Sequence, residues 1–387
     1  MHPPRPVLGQ IFSTFAGLLL AALPLRGQLA VRDAAELQIL LDRLQVVGSV
    51  LYVAAHPDDE NTAALAALAK GRKVRTAYLS LTRGGGGQNL IGAELDDALA
   101  AIRTQELLAA RRIDGAEQFF TRAVDFGYSK SPEESLRFWG REAILADVVR
   151  VVRRFRPDVI LTRFPTDGRG GHGHHTASAQ LAVEAFSAAA DPARFPEQLA
   201  AGLRPWQARR VLFNFFRFAD GPPPPAGIIA FDVGDYDPLL GRSYAELAAE
   251  GRSQHRSQGF RVLAPRGSRV ESFERLAGEP ARTDLLDGID LSWNRVAGGG
   301  PVGALLAEAR AAFRPERPEA ALPALLKALA AASDLQDPAV LPKLAELREA
   351  IRCAAGLWAE AITDRPAAAP GEKLPVALGL VARGTVP

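Results

Sequence analysis

The chain has 387 residues, 48% of them hydrophobic and 23% charged, with a mean hydropathy near zero and a formal net charge of +2. That length exceeds one ordinary core and implies two domains of a soluble globular protein, and the near-neutral charge excludes a strong nucleic-acid footprint. Arginine outnumbers lysine by 40 to 6, but the arginines are spread along an Ala/Pro-rich chain as codon bias would spread them. The first 28 residues read as an export signal: Arg5 gives a positive start, Ile11 to Leu25 an apolar run, and Gly27 a small residue. The run is short for a membrane span, and no Cys follows it for a lipid anchor, so the expected location is the bacterial periplasm or exterior, with no stable span after signal cleavage. Cys353 is the single cysteine, which excludes an intramolecular disulfide and a thiolate metal cluster. Its surroundings, Glu349 to Ala355, read as helix, with the thiol a small buried hydrophobe.

From about Ala34 onward, apolar runs alternate with amphipathic stretches. Strands are expected at Val50–Ala54, Val74–Leu81, Glu117–Thr121, Asp158–Arg163 and Val211–Phe216. Helices are expected at Asn61–Lys70, Glu94–Arg112, Phe138–Phe155 and Thr176–Ala190. Such alternation implies a mostly parallel sheet covered on both faces. Pro222 to Pro225 is read as a stiff surface loop, followed by a strand at Ile228–Val233 and a helix from Ser243 to about Ser257. The run Gly298-Gly299-Gly300-Pro301 marks the end of this domain, giving bounds of 34–300. Beyond it, Ala304–Phe313, Glu319–Ala332 and Ala339–Ile362 form an expected helical segment, 301–366, without residues for chemistry. The stretch 367–387 reads as a turn and the first strand of a truncated β domain.

The strand Leu51-Tyr52-Val53-Ala54-Ala55 runs directly into His56-Pro57-Asp58-Asp59-Glu60. Polar groups at the carboxyl end of a buried strand stand where ligands collect in open α/β sheets. A second cluster, His172-Gly173-His174-His175, follows over a hundred residues later, and four of the chain's six histidines fall in these two segments. A hydrolytic metal site takes three protein ligands and keeps one position open for water. His56, Asp59 and one histidine of the second cluster would supply that set, and Asp58, beside two ligands, would be a general base. Glu60 is read as a negative charge at the start of the next helix. A capped turn would account for His56–Asp59 taken alone, but not for the pair of clusters.

Ala55-His56-Pro57-Asp58-Asp59-Glu60 with His172-Gly173-His174-His175 resembles the PIG-L/LmbE family of zinc-dependent N-acetylglucosamine deacetylases, in character its larger exported bacterial branch. Further stretches agree: Leu81 to Asn89, Ile102 to Leu107, Val124 to Gly127, and Arg252 to Gly259. The resemblance implies an α/β fold, a Rossmann-like mostly parallel sheet with helices on both faces, followed here by the helical segment. It implies His56, Asp59 and His175 as ligands of Zn2+ (or another divalent metal such as Fe2+ or cobalt), Asp58 as general base and His172 as oxyanion stabiliser. It further implies Arg103, Asp125, Gly86, Gln88 and Asn89 as substrate-binding, with an N-acetylated sugar or glycoconjugate as substrate. Arg103 pairing with Glu106, and Asp125 capping a turn, are the plainer alternatives. His174 has no assigned role, and His255 reads as a helix-surface residue at most near the rim. In two places the chain departs from the pattern. Gly85 replaces a commonly acidic loop position, and Gly170 stands where some deacetylases carry a tyrosine, so an aromatic hydroxyl must come from elsewhere or be absent. Other readings of the same residues are an amidase on another acylated amine and a non-catalytic carbohydrate-binding protein.

Overall fold

A computed structural model of the chain describes residues 32–215 and 227–384; the expected export signal and the Pro222–Pro225 run lie outside them. The chain divides into two units, residues 48–291 and a second one built from the segment up to Val47 together with Ser292 onward. Helix α1 (Ala34–Leu44) opens on a capping box, in which Asp33 and Glu36 satisfy each other's backbone N–H. Its stripe of Leu37, Leu40, Leu41 and Leu44 packs with Val302, Leu306, Leu325 and Ile351 of the second unit. The expected 34–300 domain is therefore narrower at both ends. The cause is tertiary: the α1 stripe finds its matching apolar surface on the C-terminal helices.

In the 48–291 unit, β1 (Ser49–Ala54) is buried along its whole length, as a strand in the interior of a parallel sheet must be. A short helix α2 (Thr62–Ala66) follows and widens into a π-helical turn over Ala67–Gly71. Next come β2 (Arg75–Ser80), α3 (Asp96–Asp114) and β3 (Glu117–Phe120). The expected helix Phe138–Phe155 is in fact two, α4 (Pro132–Trp139) and α5 (Arg141–Phe155), broken where Gly140 turns with φ +75°. β4 (Val159–Thr162), α6 (Gly173–Ala188), α7 (Pro196–Ala200) and β5 (Arg210–Phe215) complete the parallel part. Then follow β6 (Ile229–Asp232), the small bridge β7 (Tyr236–Asp237) with β8 (Arg242–Ser243), α8 (Tyr244–Arg252) and β9 (Val270–Gly278).

The sheet order is β3-β2-β1-β4-β5-β9-β6. The strands from β3 to β5 are parallel; β9, which the sequence pattern did not announce, lies antiparallel between β5 and β6. Leu51 and Val53 point to one face and pack with Ile144, Val148, Leu181 and Ala185 of α5 and α6. Tyr52 points to the other, where its hydroxyl donates to Asn214 Oδ1 at 2.8 Å. The chain leaves β1 towards β2 and β3, then returns to its other side as β4. Ligand crevices open at such a switch point, outside the carboxyl ends of the strands, and both sequence clusters follow β1 and β4.

In the second unit α1 joins α9 (Gly300–Ala312), α10 (Leu322–Ser333) and α11 (Val340–Ala354) around a Leu/Ala core. The expected helix to Ile362 ends at Ala354, and Gly356, at φ +61°, turns the chain into β10 (Leu357–Ile362). The tail strand β11 (Ala377–Ala382), expected to open a new β domain, pairs antiparallel with β10 instead. Cys353 sits partly buried in the last turn of α11, and burial together with Glu349 pushes its thiol up to about 12. Among the described residues no helix is long and apolar enough to cross a membrane.

Candidate active site

The chain exits β1 at Ala54 into a turn that is tied down on several sides. His56 N donates to Asp59 Oδ2 at 2.7 Å, Asp59 N donates to His56 O at 3.3 Å, and the Tyr78 hydroxyl donates to His56 O. Across the crevice, His172 caps α6: its Nδ1 accepts from His174 N at 3.1 Å. This cap starts α6 at Gly173 rather than at Thr176, so His174 and His175 ride on the first helical turn. An open cleft of about 380 Å3, within the usual range for small-molecule sites, is lined by His56, Asp58, Asp59, His172 and His175 from these two segments. Gly86, Gly87, Gln88, Arg103, Asp125, Tyr128 and Gln258 line it as well.

His56, Asp59 and His175 each present a ligand atom within 4.8 Å of the others, and so do His56, His172 and His174. The first group has the donor chemistry of a hydrolytic metal site, two imidazoles and a carboxylate with Asp58 standing outside it. Asp59 Oδ2 is 3.0 Å from His56 Nδ1, and Asp59 Oδ1 is 3.5 Å from His175 Nε2. His175 Nδ1 donates to Gly170 O at 2.9 Å, so its Nε2 keeps a lone pair facing Asp59. The ring also stacks on Phe164, 3.8 Å between centroids. The residues present therefore fit a divalent metal.

Charges are sharply sorted in this small space. Burial, then the neighbouring Asp59, lift the Asp58 carboxyl to about 6, with Arg103 pulling the other way. Burial alone would raise Asp59 too, but the His175 and His56 rings outweigh it and hold it well below the usual carboxylate range. Burial and the neighbouring histidines lower His172 to about 4 and His174 to about 2. His172 is thus neutral near pH 7 with its proton on Nε2, because Nδ1 is occupied as an acceptor.

Arg103 lies buried beneath the glycine-rich loop. Its Nη1 donates to Gly84 O at 2.6 Å and its Nη2 lies 3.6 Å from Asp58 Oδ2. It does not pair with Glu106, which accepts from Ser257 instead. Gly86 is required by close approach: a Cβ there would lie 2.3 Å from Gly127 N. Asp125 borders the cleft but also accepts from Gly127 N at 2.9 Å, closing its own turn. Asn89 departs from the expected substrate role. It is absent from the cleft lining, and its side chain folds the loop by accepting from Ile91 N and Gly92 N and donating to Glu94 O. Gly170 is closely packed: a Cβ there would lie 3.2 Å from His175 Cβ, so a tyrosine would press on that ring's attachment. An aromatic hydroxyl nevertheless borders the cleft, from a different element: Tyr128, whose OH donates to Gly171 O at 3.3 Å.

Two expectations fail here. His255 is fully buried rather than at a helix surface, its Nε2 2.9 Å from Glu60 Oε1. Glu60 does not open the next helix; Asn61 caps it, and the Glu60 carboxylate turns inward to accept from Asp58 N at 2.9 Å. Burial would raise Glu60, but His255 and Arg111 together hold it at about 2. Asp58 itself has φ +98°, a left-handed backbone that costs a non-glycine residue roughly 1–3 kcal/mol unless its surroundings impose it.

With this geometry in view, the relatives become informative. Residues 51–186 match the family model described as PIG-L, GlcNAc-PI de-N-acetylase. This segment is similar to the PIG-L family. A 1D-myo-inositol 2-acetamido-2-deoxy-alpha-D-glucopyranoside deacetylase of Geodermatophilus obscurus is 34% identical over 181 residues, 42% of this chain and 59% of that protein. A mycothiol S-conjugate amidase of Streptomyces coelicolor is 30% identical over 163 residues, 38% of this chain and 55% of that protein. The alignments thus span little more than half of those relatives. Among solved structures, an N,N'-diacetylchitobiose deacetylase from Pyrococcus horikoshii aligns with 67% of this chain and 82% of its own, at 17% identity and a TM-score of 0.41. The matched segment contains every residue of both histidine clusters.

Proposed function

We propose that the protein is an exported, metal-dependent hydrolase that removes an N-acetyl group from an N-acetylglucosamine-type sugar or glycoconjugate. One observation carries the reading: His56, Asp59 and His175 converge as a ligand set while Asp58 stands beside it in the cleft, outside the set. His56, Asp59 and His175 would hold the metal, zinc in this reading, which when bound supplies Lewis acidity towards an amide carbonyl.

The chain's own residues account for the proton traffic. Asp58, titrating near 6, is ionised at neutral pH and takes a proton from the attacking water. As the C–N bond breaks, Asp58 returns that proton to the departing amine, so acetate and a free amino sugar leave. His172 offers its Nε2–H to the amide oxygen as negative charge gathers there. Arg103, 3.6 Å from Asp58, holds the carboxylate in place and its charge opposes protonation of the base. Tyr128, Gln88 and the Gly86–Gly87 backbone face the space where the sugar would lie.

The S-conjugate amidase among the relatives favours a second reading, the same chemistry on another acylated amine or conjugate. The test is acetate release from a panel of N-acetylglucosamine derivatives, including the inositol glycoside, alongside acylated thiol conjugates. The metal-stripped protein is expected to be silent and to regain activity with zinc or iron(II). Release from conjugates alone would select the amidase. Tight metal binding without any hydrolysis would point to the carbohydrate-binding alternative.

A further inference from the structure

Asp58 alone among the non-glycine cleft residues holds a left-handed backbone, φ +98°. Strain of this kind persists only where the surroundings over-determine it, and here they do so from below. Glu60 Oε2 accepts from Asp58 N at 2.9 Å. Glu60 Oε1 receives His255 Nε2 at 2.9 Å and Arg111 Nη2 at 3.3 Å. Arg111 is itself fixed by Asp114, with Nε 3.0 Å from Oδ2. From the end of α8 and the segment after it, the Arg252 guanidinium donates to Asp58 O and Gln258 Nε2 donates to Pro57 O at 2.8 Å. The peptide groups on both sides of Asp58 are thereby held by side chains from distant parts of the sequence.

Burying a carboxylate with two cationic or imidazole partners is expensive, and a turn that needed only one amide satisfied would not require it. We propose that Glu60 is a positioning residue: a buried anchor, itself locked by His255 and Arg111, that pins the Asp58 N–H and so aims the Asp58 carboxylate into the cleft. The inference rests on the reading of Asp58 as the base. It assigns a purpose to the Arg252–Gly259 stretch, which touches the 56–60 turn from beneath and supplies His255, Arg252 and Gln258.

Glu60→Gln is the decisive variant because it keeps the shape. One amide cannot accept from Asp58 N and also from His255 and Arg111, so one side must face donor to donor. On the metal-loaded full chain, kcat for acetate release is expected to fall about 10- to 100-fold, with KM and bound metal per chain changed less than about twofold. Glu60→Ala is expected to fall further where it folds. A crystal structure of Glu60→Gln is expected to show Asp58 leaving the left-handed region or its carboxylate swung from the cleft. A kcat within about twofold of wild type, with Asp58 still near +98°, would overturn the proposal, as would loss of metal in step with kcat. Should the wild-type protein release no acetate from any substrate, the functional reading falls, and the Asp58 backbone in the variant crystal still decides the role of Glu60.

Discussion

The two segments that supply the cleft's chemistry are built by opposite means. The 56–60 turn is held by bonds: side chains on α3 and in the segment after α8 grip its backbone and its buried Glu60, and Asp58 is kept in a strained conformation. The 172–175 segment is held by the helix it starts, with His172 as its own cap and His175 fastened by one carbonyl and a stacked Phe164. A strained, over-bonded turn keeps one carboxylate fixed and leaves little tolerance for substitution. A helix start places several rings at fixed spacing at small cost, and its members are separable. Substitution on the two sides should therefore fail differently.

The largest effect is expected at Asp58. Asn tolerates a left-handed backbone almost as Asp does, so Asp58→Asn isolates the chemistry: activity should fall on the order of 10²–10⁴-fold with metal retained. Asp58→Ala should add a loss of folding stability on top, seen as a lower Tm, because alanine has no such tolerance. An equal Tm for the two variants would break the claim that the turn is strained. On the other side, His172→Ala should lower kcat on the order of 10²–10³-fold, the usual cost of one oxyanion donor, with metal affinity held. If metal is lost instead, the ligand set is His56, His172 and His174 rather than the one with Asp59.

His174 sharpens the same question at smaller scale. It is fully buried, packed on Trp139 and Phe126, and its Nδ1 lies 3.0 Å from His56 Nε2. One of the two nitrogens donates, so His174 orients the His56 ring from behind. His174→Phe keeps the volume and removes that contact. Metal affinity measured by competition with a chelator should weaken about 10- to 100-fold. A far greater loss would make His174 a ligand.

How much of this was legible in the sequence follows from how local each feature is. The β1 run and both histidine clusters were readable because residue type and adjacency suffice: an apolar strand, then residues of the types that can ligate a metal or act as a base at its end. β9 was not, because Glu271 occupies an inward position, near-buried and accepting from Asn214 Nδ2, and so masks the alternation that marks a strand. β10 was hidden for a different reason: Leu357–Ile362 continues an Ala-rich helical composition, and only Gly356 marks the break. The Glu60–His255 contact joins residues 195 apart, and no local pattern tells a buried histidine partner from a surface one. The α1 assignment failed likewise, since an amphipathic stripe says that a helix is buried but not against which unit.

The smallest effect is expected where the sequence reading and the structure disagree. Asn89 sits in a stretch read as substrate-binding, yet its side chain serves the loop from Ile91 to Glu94 and lies outside the cleft lining. Hydrogen bonds within one exposed loop stabilise little, and substitutions of that kind usually change free energies by no more than about 0.5 kcal/mol. Asn89→Ala should therefore leave kcat/KM within about twofold of wild type, since that free energy corresponds to little more than a factor of two. Gln88→Ala, one residue away but bordering the cleft, should raise KM more than Asn89→Ala does. If the order is reversed, the 83–95 loop must move when a sugar binds, bringing Asn89 inward. Loop substitutions would then rank with those of the helix start, as effects on binding rather than on the chemical step.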